Sequence, residues 1–249
     1  MSRWLKYLWN CVLTDLSKLI AKGIKEQANK NMKEWGNVAG SVEFVKSQLI
    51  PHESKLLDIG CNTGSVIFKL YLCGYTNVYG IDVDKKRIQQ GKQDYNQISD
   101  RLIDYDGIKL PFGDNSFDVV TMFDVIEHIP ELERYISLQV KRVLKQDGIL
   151  ILQTPNKFTN IPWEILIHRS FTRYKSYHVS LQSYRSLKHL LTSGGFVDVT
   201  IEKRDLCTPY YLNQLERYIG RLAYPLLSMI NVLHVSCTTN FWVHCRKVK

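Results

Sequence analysis

The chain lacks the paired cysteines of a zinc site or a thiol–disulfide enzyme. Its six cysteines, at 11, 61, 73, 207, 237 and 245, form no C-x-x-C pair and no metal-ligand spacing. They read as free thiols of a reducing compartment. Also absent is any apolar run of the ~20 residues needed to span a bilayer, and the N-terminus shows neither the uninterrupted apolar core nor the A-x-A site of a secretory leader. A cytoplasmic location is the expectation. No internal repeat or low-complexity tract is present. What remains is 249 residues of which 45% are hydrophobic, enough for one α/β domain with a cap.

The most informative stretch is Leu56-Leu57-Asp58-Ile59-Gly60-Cys61-Asn62-Thr63-Gly64, followed by the helix-permissive run Ser65 to Leu72. A short apolar run, an acid, a glycine-rich turn and a helix start predict a buried parallel strand, a tight loop and a helix. Glycines at 60 and 64 are expected to let the backbone approach a ligand with no Cβ in the way. The helix beyond them offers unpaired N–H groups to an anion. Asn62 argues against NAD or FAD, because G-x-G-x-x-G needs glycine at that position.

The next strand, Asn77 to Asp84, places Asp82 about 20 residues after the glycine loop, as expected of a ribose-binding acid. Asp84 reads as the cap of a helix starting near Lys85. A third block runs from Asp106-Gly107 to Pro111-Phe112 and feeds a strand through Ser116-Phe117-Asp118-Val119-Val120. Two more follow: Met122-Phe123-Asp124-Val125-Ile126-Glu127-His128-Ile129, and Arg142 to Asn156.

These blocks, in this order across residues 56–156, resemble the class I S-adenosylmethionine (SAM) methyltransferases, in particular the methyltransferase type 11 and ubiquinone-biosynthesis groups. LLDIGCNTG is similar to their first motif, and the later blocks to D-A-x-x-L-P-F…S-F-D-V-V, F-E-V-L-E-H-I and R-V-L-K-P-G-G…T-P-N. Gly107 stands where alanine is usual. The resemblance spans roughly residues 40–205 and implies an α/β, Rossmann-like fold with a mostly parallel seven-stranded sheet. It implies a SAM site of Asp58, Gly60, Cys61, Asn62, Gly64, Asp82, Val83, Asp106, Gly107 and Phe123, with Asp82 on the ribose and Asp106 on the adenine amino group. A disulfide at Cys61 would obstruct that site.

A hydroxyl acceptor needs a base, and His128 and His178 are the candidates. As an alternative, each is a buried structural histidine. The quartet Asp124, Glu127, His128 and His178 also resembles the E-x-x-E-H…H metal site of quinone-biosynthesis O-methyltransferases and small-RNA 2′-O-methyltransferases. That site would hold Mg²⁺ or Mn²⁺, although here the first acid is one methylene shorter.

The flanks carry the remaining expectations. Residues 1–40 read as an amphipathic helix, in which Trp4, Leu8, Trp9, Leu13 and Leu16 recur at helical spacing among lysines, followed by a linker or lid over 29–40. This helix could lie on an anionic membrane, cover the SAM pocket or meet a second subunit in a homodimer. Residues 41–249 form the methyltransferase domain, opening with a helix over Ser41 to Leu49. Within it 206–236 is a helical insertion broken at Pro225, whose Tyr210, Tyr211, Tyr218, Tyr224, Leu226, Leu227, Met229 and Ile230 offer either a greasy acceptor pocket or ordinary helix core. A helix before Gly194-Gly195 and strands over Phe196 to Ile201 and Thr239 to Cys245 complete the reading.

The net charge is +9, and residues 157–189 carry Lys157, Arg169, Arg173, Lys175, Arg185 and Lys188 against Glu164. An anionic substrate or surface and a merely solvated basic face both explain this. The function expected is methyl transfer from SAM to an oxygen of a small-molecule or lipid-linked acceptor. Its rivals are an RNA-modifying methyltransferase, with nucleic acid the less favoured partner, and a non-catalytic scaffold on the same fold.

Overall fold

The computed structural model describes residues 37–202, 209–232 and 240–248. The expectations for residues 1–36, including the amphipathic helix and most of the proposed linker, lie outside the described residues.

Seven strands form one sheet in the order β3-β2-β1-β4-β5-β7-β6. They are β1 (Leu56–Ile59), β2 (Val78–Asp82), β3 (Leu102–Asp104), β4 (Phe117–Phe123), β5 (Leu144–Pro155), β6 (Phe196–Glu202) and β7 (Asn240–Lys247). The first five pair in parallel, and β7 runs antiparallel between β5 and β6. This is the mostly parallel sheet the motif order implied. Every residue of β1 is buried, as a central parallel strand covered on both faces requires. Alternation sends Leu57 and Ile59 into one core and Leu56 into the other. After β3 the chain returns to the opposite side of β1, where β4 pairs. The crevice at the carboxyl ends of β1 and β4 is therefore the switch point where open α/β sheets bind ligands.

Six helices matter to the argument: α1 (Val38–Ser47), α2 (Ser65–Leu72), α3 (Lys85–Asp94), α4 (Leu132–Tyr135), α5 (Lys157–His168) and α6 (Tyr184–Ser193). Helix α1 starts three residues before the expected Ser41, because the Asn37 side chain accepts the Gly40 N–H at 3.1 Å. Asp84 caps α3 as expected, its Oδ1 accepting from Lys86 and Arg87 N–H at 2.9 and 3.2 Å. Helix α6 begins at Tyr184 because Ser183 and Ser186 form a capping box. It ends at Gly194, and Gly195 takes the left-handed φ of +83° that follows.

The described part of the insertion is α7 (Pro209–Ile219), a turn (Gly220–Leu222) and α8 (Ala223–Val232). The break falls at Gly220, φ +56°, not at Pro225. Proline is tolerated in the first turn of α8, where its missing N–H would have had no partner. Among the described residues no helix is long and apolar enough to cross a membrane.

Candidate active site at the carboxyl edge of the sheet

The glycine loop leaves β1 in three left-handed steps, with φ of +75° at Gly60, +54° at Asn62 and +85° at Gly64. Gly60 and Cys61 N–H both donate to the Ile81 carbonyl, at 2.8 and 3.1 Å, and Asn62 N–H donates to Asp82 Oδ2 at 2.7 Å. The loop is thus tied to the end of β2 at three points. Packing adds a reason for glycine at these positions. A Cβ at Gly60 would lie 2.3 Å from Val125 Cγ2, and one at Gly64 2.6 Å from Leu102 Cδ2. These glycines admit the positive φ and the packing of neighbouring side chains.

Asp58 is 2% exposed beneath this loop, and Thr121 Oγ1 donates to its Oδ1 at 2.6 Å. Burial pushes its carboxyl up to about 7, against the Thr121 hydrogen bond and with help from the charge of Asp82. An acid raised on folding binds protons more tightly when native. Its contribution is therefore complete below the unfolded value near 4 and is lost as pH rises toward 7. Asp58→Asn should flatten the fall in melting temperature between about pH 4 and pH 7; a slope equal to wild type over that range would contradict the raised value. Cys61 is buried beside Gly80, and burial raises its thiol well above the ordinary range.

Asp82 closes β2 half-buried, its Oδ1 accepting from Asp84 N–H at 2.8 Å and its Oδ2 from Asn62. A carboxylate offers about four lone-pair sites, so both oxygens can still accept from a ligand. Val83 follows it, 62% exposed, and Gly107 lies against it: a Cβ there would meet Val83 Cγ1 at 3.1 Å. Asp106 is exposed and spends Oδ1 on its own turn, accepting from Ile108 and Lys109 N–H, which lower its pKa. Only Oδ2 is left for the adenine contact that the resemblance implied. Asn62 Oδ1 is buried with no hydrogen-bond partner. An orphaned buried acceptor, in a loop whose backbone is tied to the Asp82 carboxylate, is what the ammonium of an amino-acid ligand would satisfy, so the residues present fit SAM.

At the end of β4, Phe123 is half-buried with its ring 6.3 Å from that of Trp242. Asp124 takes a left-handed φ of +54°, and its Oδ1 accepts from Gln153 Nε2 at 2.8 Å. Glu127 is 1% exposed and accepts from Thr154 Oγ1 at 3.0 Å; burial and the charge of Asp124 raise its pKa. His128 Nδ1 sits 2.6 Å from the Tyr177 carbonyl. A carbonyl only accepts, so Nδ1 carries a proton, and in the neutral ring Nε2 is the nitrogen with the lone pair. The His178 ring centre is 5.1 Å from that of His128, and its buried Nδ1 has no partner. Burial and then His128 lower its pKa.

The structure therefore gathers Glu127, His128 and His178, with donor atoms within 4.8 Å of one another. These are three of the expected quartet. Asp124 is outside that group because Gln153 holds its side chain across the β4–β5 pair. Gln153, Thr154 and the Tyr177 carbonyl were missed by motif reading. Gln153 and Thr154 could have been found, since they face opposite sides at the end of β5, but the Tyr177 contact is made by a loop 49 residues away.

Residues 57–152 match a protein family described as "Methyltransferase domain". A probable S-adenosylmethionine-dependent methyltransferase of Mycobacterium tuberculosis is 30% identical over 59% of this chain and 50% of its own length. The chain thus spans about half of that relative. A 27-O-demethylrifamycin SV methyltransferase of Amycolatopsis mediterranei is 31% identical over 67% of this chain and 62% of its own. Among solved structures, a putative sarcosine dimethylglycine methyltransferase from Galdieria sulphuraria superposes with a TM-score of 0.62 at 16% identity, covering 84% of this chain and 86% of that one. That likeness supports the fold.

Proposed function

We propose, from the premise that residues 57–152 are a class I methyltransferase domain, that the chain transfers a methyl group from SAM to a hydroxyl oxygen of a small or lipid-linked acceptor. When bound, SAM supplies a methyl made electrophilic by the sulfonium. The residues of the chain do the rest. Asp82 accepts the ribose hydroxyls, the Asn62 side-chain oxygen accepts from the ammonium of the amino-acid end, and Val83 lies against one face of the adenine. His128 Nε2 removes the acceptor's proton, and the Tyr177 carbonyl holds the ring in the tautomer that leaves that nitrogen basic. Burial of His178 keeps it neutral beside His128, so the two rings do not repel as cations.

The observation that carries this reading is the short Nδ1 contact of His128, which ends a single helical turn (Ile126–His128) at the switch point. The oxygen acceptor also accords with the name of the Amycolatopsis relative, which specifies an O-demethylated substrate. Two imidazoles and one carboxylate suit a transition-metal ion better than Mg²⁺, which prefers oxygen ligands. With Asp124 tied to Gln153, acid–base chemistry is the better-supported use of the cluster.

His128→Ala should lower the turnover of a hydroxyl acceptor by about 10²–10⁴-fold with SAM affinity unchanged by calorimetry. A rate that stays within a few fold of wild type would dismiss His128 as the base. A chelator should leave wild-type turnover unchanged, whereas its loss, restored by Mn²⁺, would return the cluster to metal binding.

A further inference from the structure

The helical hairpin of α7 and α8 ends in a surface that water does not favour. Of residues 216–226 only Ala223 is buried. Tyr218 is 60% exposed, Leu222 69% and Tyr224 61%, with Met229 at 53% one turn further along α8. Scattered apolar residues on a surface mean little, but a contiguous apolar tip marks a contact with something greasy. Arg217 and Arg221 are exposed within the same turn. The Trp163 ring meets Tyr218 edge-on at 5.7 Å. That contact joins the tip to α5 and so to the segment carrying exposed Lys157, Arg169, Arg173 and Lys175.

We propose that this tip docks on an anionic lipid surface, with Leu222, Tyr224 and Tyr218 entering the headgroup–acyl boundary and Arg217 and Arg221 among the phosphates. The charge decides the occupant. Apolar side chains flanked by arginines match a membrane, where aromatic rings sit at the interface and basic residues meet acidic headgroups. A second copy of this chain, itself at net charge +9, would bring like charge against like charge. The surface is independent of the methyl-transfer chemistry, and its test needs no turnover.

The full-length chain should cosediment with vesicles rich in phosphatidylglycerol and only weakly with phosphatidylcholine alone. R217Q/R221Q should lower that partition by about 30-fold, two surface cations' worth, and L222D/Y224D by at least about tenfold. Exposed positions should leave the melting temperature of both variants at the wild-type value. Binding that is equal in wild type and both variants would overturn the proposal, since it would assign any membrane contact to another part of the chain. So would failure to bind vesicles at all. A dimer seen by sedimentation that L222D/Y224D abolishes, with no vesicle binding, would give the surface to a second copy instead.

Discussion

Asp82→Ala will weaken SAM binding by at least about 100-fold. Two hydrogen bonds from ribose hydroxyls to a charged acceptor contribute roughly 1.5–3 kcal/mol each, and 1.4 kcal/mol is about tenfold in affinity. The substitution also removes both braces that the carboxylate supplies, to Asn62 N–H at 2.7 Å and to Asp84 N–H at 2.8 Å. The first of these ties down Asn62 at its left-handed φ of +54°, and with it the side-chain oxygen proposed to meet the ligand. Loss therefore comes from the ribose and from the loop together. Asp82→Asn separates them, because its amide oxygen can still brace the Asn62 N–H while the charge is gone. Calorimetric titration with SAM should rank wild type, Asn and Ala in that order. Equal affinity for all three would remove Asp82 from the site.

The second large effect concerns stability, at a residue that no motif marks. Gly91 lies inside α3, where alanine would ordinarily stabilise a helix by about 1 kcal/mol. Here a Cβ would stand 2.0 Å from the Thr63 carbonyl oxygen, in the middle of the glycine loop. The obstacle is backbone, so no rotamer change relieves it. Either α3 or the loop must move. Overpacking of this kind costs about 1–3 kcal/mol and occasionally more, which outweighs the propensity gain. We expect Gly91→Ala to lower the melting temperature by about 2–8 °C, a net cost of about 1–2 kcal/mol at the 2–4 °C per kcal/mol usual for a domain of this size. SAM affinity should fall too, since Thr63 adjoins Asn62. A variant that melts at or above wild type would mean that α3 does not press on the loop as described.

These two residues show how unevenly the site can be read. Asp82 was legible because its position is local: an acid ending a strand, a fixed distance after a glycine turn, is written in one stretch of chain. Gly91 was not, because its role is set by a helix and a loop that approach only after β1 and β2 pair. The same division separates Asp84, whose capping role depends on its next three residues, from Asp124. Nothing in its neighbours announces that Gln153, on the adjoining strand, will hold its side chain. His128 was found as a candidate base, but the group that fixes its tautomer is a main-chain carbonyl, which has no residue type to recognise. The glycines were marked for close approach of backbone to a ligand; their positive φ and the side chains that a Cβ would strike became visible only in the fold.

Order along the chain determined the sheet. Short apolar runs, each closed by an acid or a turn, can bury both faces only as parallel strands with helices between them, and that arrangement puts every loop that follows a strand on one edge. Which side chains meet across that edge was decided by tertiary structure alone. Pairing and packing bring together groups tens of residues apart with a precision no local pattern encodes. They draw Glu127, His128 and His178 into one cluster, turn Asp124 out of it, and leave the tip of the last hairpin facing solvent.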